Sequence, residues 1–229
     1  MSEKVRRMFA DIADDYDRVN SILSFGVHHA WRSRTVQLSG AKEGDKVLDC
    51  ATGTGDLALE FKEKVGDEGY VLGTDFCREM IEHAPAKASE HDLEVDFEVA
   101  DAMDLPYEDD RFDISSIAFG IRNVDEPVQA LREMSRVVKP GGKVMILEFG
   151  QPKGLLKYPY ELYSQYIMPA VGGWISGNRE AYSYLPRTSA EFPAGEHFIA
   201  LMEEAGCFTS QMYEKLTGGI AYVYVGTVR

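Results

Sequence analysis

The chain has 229 residues, 45% hydrophobic and 27% charged, which is enough apolar side chain for a packed core and is not the composition of a disordered chain. A formal net charge of −14 argues against a broad nucleic-acid-binding face, which needs clustered Lys and Arg. Three unclustered cysteines, Cys50, Cys77 and Cys207, point to a reducing cytoplasm rather than a disulfide framework or a cysteine zinc site. No apolar run approaches the ~18 residues of a membrane span, and the opening "MSEKVRRMFADIADDYD" has no apolar leader core.

Val5, Met8, Phe9, Ile12, Ala13 and Tyr16 recur at helical spacing and predict a helix over 4–19. A second is expected over roughly 27–39, so that residues 1–40 form a helical N-terminal cap. "KVLDCA", "YVLGTDF", "VDFEVA", "FDISSIAF" and "KVMILEF" are short apolar runs typical of buried strands. Helical stretches lie between them at 56–65, 77–91 and 127–138, with Pro85 expected to bend or split the second. Asp125 is a candidate cap ahead of Pro127, and "KPGG" is expected to stop that helix. Such alternation predicts one α/β domain over 1–229, a doubly wound, mostly parallel sheet. Residues 151–195, rich in aromatics and prolines, break the alternation and are expected as an insertion on the substrate side. A helix at 196–205 and two runs joined by "TGG" then finish the sheet as an antiparallel hairpin.

Chemistry is first signalled by "VLDCATGTGD", in which a strand runs into Gly53-Thr54-Gly55 and a helix opens. Glycines let backbone approach a ligand, and the helix start offers unpaired N–H groups. Asp75, ending the second strand with Phe76 beside it, suits ribose hydroxyls. Gly53, Gly55 and Ala58 also fit a dinucleotide fingerprint. Asp49, just before the turn, tells against that, because a carboxylate there would oppose a pyrophosphate and suit the ammonium of a methionine moiety, directly or through water. With the closing hairpin, the pattern resembles the class I S-adenosylmethionine (SAM) methyltransferases, a Rossmann-like seven-stranded fold whose last strand is antiparallel. In that class an acid and its neighbour after the third strand recognise adenine; here these are Asp101 and Ala102.

Two longer stretches narrow the resemblance. "YDRVNSILSFGVHHAWR" (Tyr16 to Arg32) and "RVVKPGGKVMILEFG" (Arg136 to Gly150) are similar to the two signatures of the ubiquinone/menaquinone biosynthesis C-methyltransferases. Val19 replaces a usual Met and Gly150 a usual Ser. "FGIRNV" and "NREAYSYLP" also resemble family segments. The resemblance implies a cytoplasmic enzyme that methylates a ring carbon of a polyprenylated quinol, demethylmenaquinol or the ubiquinone-precursor equivalent. It leaves room for peripheral membrane contact and for a homodimer. It carries SAM contacts onto Thr54, Asp75, Asp101 and Ala102. A family serine is Ala118 here, so only the backbone can serve at that position.

Arg122 and Asn123 follow the fourth apolar run, where such a sheet binds ligands. A guanidinium there can stabilise a phenolate and an amide can hold a quinol oxygen; a local ion pair of Arg122 with Asp125 or Glu126 is the plain alternative. Tyr16 is a candidate for positioning the quinol, or a core tyrosine. His28 is a candidate substrate contact, or a packing residue. Asn178, Arg179 and Tyr182 could meet the head group, with helix capping as the alternative. Leu155, Leu156, Tyr158, Tyr160, Tyr163, Tyr166, Ile167 and Trp174 could form a prenyl channel or a membrane-facing patch. No metal is expected, for want of a histidine–carboxylate cluster. A SAM methyltransferase for another small molecule or lipid, and a non-catalytic SAM-binding scaffold, are the rival readings.

Overall fold

The computed structural model describes residues 3–229, Lys4 by its backbone only; Met1 and Ser2 of the expected cap lie outside the described residues. The cap consists of α1 (Glu3–Ala10), α2 (Tyr16–Leu23) and α3 (Val27–Ser39). The helix predicted over 4–19 is thus two, separated by a turn and a short 3-10 segment, Ala13–Asp15. Packing explains the break. In one straight helix Phe9 and Tyr16 would sit roughly 10 Å apart along the axis, whereas their rings meet edge to face at 6.3 Å. Ile12 and Ala13 are buried in the bend.

Strand and helix then alternate through β1 (Lys46–Cys50), α4 (Asp56–Val65), β2 (Tyr70–Asp75), α5 (Arg78–Ile81), α6 (Ala84–Glu90), β3 (Asp96–Val99), β4 (Phe112–Ala118), α7 (Pro127–Arg136) and β5 (Val138–Phe149). Pro85 sits in the first turn of α6, where its missing N–H costs nothing. Two local expectations are corrected. Glu126, not Asp125, occupies the cap position of α7, and it makes no side-chain capping bond. "KPGG" is not the helix stop but a bulge within β5: Phe112 pairs with Val138 and Ile114 with Lys143, leaving residues 139–142 unmatched.

The expected insertion is helical, with α8 (Lys157–Leu162), a π-type turn (Tyr163–Ile167), α9 (Met168–Ser176) and α10 (Arg179–Glu191). The chain closes with α11 (Glu196–Ala205), β6 (Phe208–Leu216) and β7 (Ala221–Val228). Strand order is β3-β2-β1-β4-β5-β7-β6. The first five strands are mutually parallel, and β7 is antiparallel to both of its neighbours. This is the predicted doubly wound seven-stranded sheet.

Alternate strand residues face opposite sides. Leu48, Ile117 and Ile146 pack with Leu131 and Met134 of α7 and Phe198 and Met202 of α11. Val47, Ile114 and Met145 pack with Trp31 of α3 and Leu57 and Phe61 of α4. Each such side chain contributes roughly 1.5–3 kcal/mol on burial. A separate cluster, Ile12, Val19, Leu23, Met168, Ala181 and Tyr182, joins the cap to α9 and α10 and forms a roof over the strand ends.

Candidate active site

Strand order reverses between β1 and β4, and a cleft opens beyond their carboxyl ends. There β1 turns through Gly53 and Gly55, whose φ values are +58° and +89°. A Cβ on Gly55 would also meet Phe97 at a tight 3.2 Å, and the positive φ is what favours glycine there. Asp75, at the end of β2, accepts backbone N–H bonds from Gly53 (2.9 Å) and Cys77 (2.8 Å). A carboxylate offers about four acceptor positions, so capacity remains for ligand hydroxyls. Burial raises the Asp75 pKa, and these N–H donors oppose the rise. Phe76, Asp101, Ala102, Ala118 and Asn123 complete the cleft with Gly53 and Asp75.

Three predicted cofactor residues do not line this cleft. Gly55 serves as the cap of α4. Asp49 lies beneath the turn, where it accepts from the hydroxyls of Thr52 (2.7 Å) and Ser116 (2.6 Å). Burial raises its pKa to about 6, against the pull of those hydroxyls and of Arg32. The Thr54 hydroxyl donates to Asp17 (2.6 Å) and accepts from Lys87 (2.9 Å). Lys87 also binds Asp17 and Asp56, and Asp56 pairs with Arg32 at 2.8 Å. This network ties the cap to the glycine turn.

Across a partition lies a second cavity of about 270 Å³. Met8, Ile12, Leu23, Phe149, Met168 and Leu185 make it mainly apolar, and Asn20, His28, Arg32 and Arg122 add polar groups. Phe9, Tyr16 and Phe119 line both cavities and are the partition. Burial raises the Tyr16 pKa, so this phenol is neutral at physiological pH. Phe119 has a φ of +56°, a strained conformation for an aromatic residue. Its carbonyl accepts from Arg122 Nη1 at 2.5 Å, and its ring stacks on Phe149 at 4.3 Å.

Arg122 and Asn123 leave β4 on a short 3-10 turn, Ile121–Asn123. The Arg122 guanidinium is buried and pairs with Glu148 at 2.7 Å. This ion pair crosses the sheet to β5 instead of staying within the local segment. Arg122 Nε is buried without a hydrogen-bond partner. Asn123 Oδ1 accepts from the Tyr184 hydroxyl at 3.1 Å. His28 bonds Ser24 Oγ through Nδ1 at 2.6 Å, and burial, followed by Arg32 and His29, lowers its pKa to about 4. It is therefore a neutral imidazole at physiological pH.

Tyr182 reaches the chamber, whereas Asn178 and Arg179 do not line it. Asn178 Oδ1 caps α10 by accepting from Ala181 N at 3.1 Å, and Arg179 packs against Gly173. The aromatics of the insertion divide. Tyr160 and Tyr163 line the chamber, while Tyr158, Tyr166, Leu155 (95% exposed) and Trp174 (86% exposed) face outward. Phe25 both lines the chamber and is 81% exposed, which marks it as part of the mouth. Glu148, Phe119, Arg32 and Tyr184 were not singled out from the sequence. Only Glu148, an acid at the end of an apolar strand, carried a local signal.

A doubly wound sheet with an antiparallel β7, a glycine turn after β1 and an acid ending β2 is the fold found in SAM-dependent methyltransferases. Similar solved structures carry that description. One is a SAM-dependent methyltransferase, possible histamine N-methyltransferase, from Thermotoga maritima, with a TM-score of 0.69, 20% identity, and 97% of this chain and 99% of that one covered. Another is a SAM-dependent methyltransferase from Aquifex aeolicus, with a TM-score of 0.60, 23% identity, and 86% and 89% covered. At such identities the likeness speaks for the fold alone.

The chain belongs to the ubiE/COQ5 methyltransferase family, whose model matches residues 1–228. It is 55% identical to the ubiquinone/menaquinone biosynthesis C-methyltransferase UbiE of Bdellovibrio bacteriovorus, over 99% of this chain and 97% of that protein. It is 47% identical to the demethylmenaquinone methyltransferase of Thermus thermophilus, over 96% and 99%.

Proposed function

We propose that the protein transfers a methyl group from SAM to a ring carbon of a polyprenylated quinol, demethylmenaquinol before the benzoquinol equivalent. The observation that carries this reading is the shared partition: an acid-lined cleft and an apolar chamber meet at Phe9, Tyr16 and Phe119, with Arg122 and Asn123 alongside. The names of the relatives support the substrate class.

The cleft residues fit the cofactor. Asp75 has acceptor capacity for ribose hydroxyls, Asp101 and Ala102 flank the place for adenine, and Phe76 and Met80 offer apolar surface. SAM supplies an activated methyl group when bound. The chain's own task is on the other side of the partition. An aromatic carbon is a weak nucleophile until the adjacent hydroxyl ionises, and Arg122 stabilises that phenolate from within a low-dielectric wall. Asn123 and Tyr16 orient the ring, and the neutral His28 serves as a hydrogen-bonding group rather than a charged acid. The ring proton leaves through a water held at Arg122, since arginine is itself no base. The exposed Leu155, Tyr158, Tyr166 and Trp174 of the insertion contact a neutral lipid surface from which the prenylated substrate enters.

The test is labelled methyl transfer to a short-chain demethylated naphthoquinol, the matching benzoquinol and a soluble catechol. Transfer to a prenylated quinol in clear preference to the catechol is expected. SAM binding without transfer to any quinol would favour a scaffold, and preference for the catechol would favour another methyltransferase. Neutral-vesicle flotation should fall several-fold in a Leu155→Asp/Trp174→Asp variant; unchanged flotation would remove the lipid contact from the account.

A further inference from the structure

We propose that Glu148 is a positioning residue for this methyl transfer. It holds the Arg122 guanidinium in place at the chamber wall, where it can meet a quinol oxygen or its water. The inference rests on the reading of Arg122 as the group that stabilises the phenolate.

Glu148 grips Arg122 at both ends. Its Oε1 accepts from Arg122 Nη1 at 2.7 Å, and its Oε2 accepts from the Arg122 backbone N–H at 3.3 Å. Oε1 also accepts from its neighbour's backbone N–H, Phe149 N, at 2.8 Å, which fixes the carboxylate itself. With Nη1 further tied to the Phe119 carbonyl, the buried Nε is left unpartnered. The guanidinium is additionally held over the Phe149 ring at 5.3 Å. One carboxylate thus sets both the backbone turn and the side-chain direction.

Stability alone does not account for this pair. Its two side chains are 2% and 1% exposed. Removing two charges from water costs about as much as their attraction returns, and apolar residues of similar volume would serve the fold as well. A fixed guanidinium is what the chemistry needs, because a displacement of about 1 Å can cost on the order of 100-fold in rate. Glu148 is not placed to take the ring proton. Both of its oxygens are engaged by N–H donors, and it does not line the chamber. Its negative charge also offsets that of Arg122 before substrate ionises, so its removal should alter the acidity of the bound quinol.

The experiment is single-turnover methyl transfer from labelled SAM to a short-chain demethylated naphthoquinol across pH. It compares wild type, Glu148→Gln, Arg122→Ala and the double variant, with SAM affinity measured in parallel. Glu148→Gln should lower turnover by roughly 10- to 100-fold and leave SAM affinity within a few-fold. The midpoint of its pH–rate profile should move toward acid by about one unit, because the guanidinium charge is no longer offset. In the Arg122→Ala background the same replacement should have little further effect, since Glu148 acts through Arg122. If the two losses multiply, or if the midpoint stays put, Glu148 is structural and the proposal fails. Normal turnover by Arg122→Ala would instead overturn the reading of Arg122 itself, and this inference with it. Should Glu148→Gln not fold, Glu148→Asp carries the test, because a carboxylate shortened by one methylene must show the same non-additivity with Arg122→Ala.

Discussion

The acid-lined cleft and the apolar chamber share one wall but are built on different principles. The cleft belongs to the sheet: its polar contacts are backbone N–H groups and acids fixed by strand ends and a glycine turn. The chamber takes only its floor from the strand ends, through Phe119, Arg122 and Phe149. Its roof is helical, and the cluster of Ile12, Val19, Leu23, Met168, Ala181 and Tyr182 is separate from the two sheet cores. Cofactor binding should therefore withstand changes on the chamber side, and catalysis should fail without loss of cofactor affinity. Variants can separate the two.

The largest effect is expected at Arg122. Arg122→Ala should lower single-turnover methyl transfer by on the order of 100-fold or more while SAM affinity stays within a few-fold. Arg122→Lys should recover only part, because it keeps the charge and loses the planar fork. Equal losses in rate and in SAM affinity would erase the division between the two cavities.

Asp75→Ala should show the opposite pattern. Losing charge-assisted hydrogen bonds should weaken SAM by about 1.5–3 kcal/mol, roughly 10- to 150-fold, in a calorimetric titration. Rate at saturating SAM should change far less. Unchanged affinity would take Asp75 out of the cofactor site.

Asp49 sharpens the same contrast with a smaller effect. Its native pKa, about 6, lies above its ordinary value of 3.8. The folded state therefore binds more protons than the unfolded state between those pH values, and stability falls as pH rises through them. Asp49→Asn should remove that cost and stabilise the protein at pH 7.5 by on the order of 1–3 kcal/mol. The gain should disappear below about pH 4 in thermal unfolding. SAM affinity should move little, because Asp49 lies beneath the cleft. A variant less stable at pH 7.5 would contradict the account.

The sheet was legible because its signals are local. Short apolar runs, the glycine turn and the acid after β2 sit in continuous stretches, and the five parallel strands contain those runs, with β5 starting earlier, at Val138. The roof was not, because which aromatic faces inward depends on contacts far away in sequence. Tyr160 and Tyr163 turn toward the chamber while Tyr158 and Tyr166 turn out, within one run. Arg122 shows the same limit. Its neighbours in sequence, Asp125 and Glu126, were the obvious acids, but the pairing of Ala118 with Leu147 on adjacent strands brings up Glu148. Asp49 could be located from the turn it precedes, but its partner Ser116 is set opposite it only by the sheet register.

The most direct test of the account is the position of the transferred methyl. The protein would be incubated with SAM carrying a carbon-13 methyl and a short-chain demethylated naphthoquinol, and the product analysed by nuclear magnetic resonance. The account predicts the label on a ring carbon, with both hydroxyl oxygens unmethylated, and loss of that product in Arg122→Ala. Label on an oxygen, or a labelled product undiminished by Arg122→Ala, would contradict it.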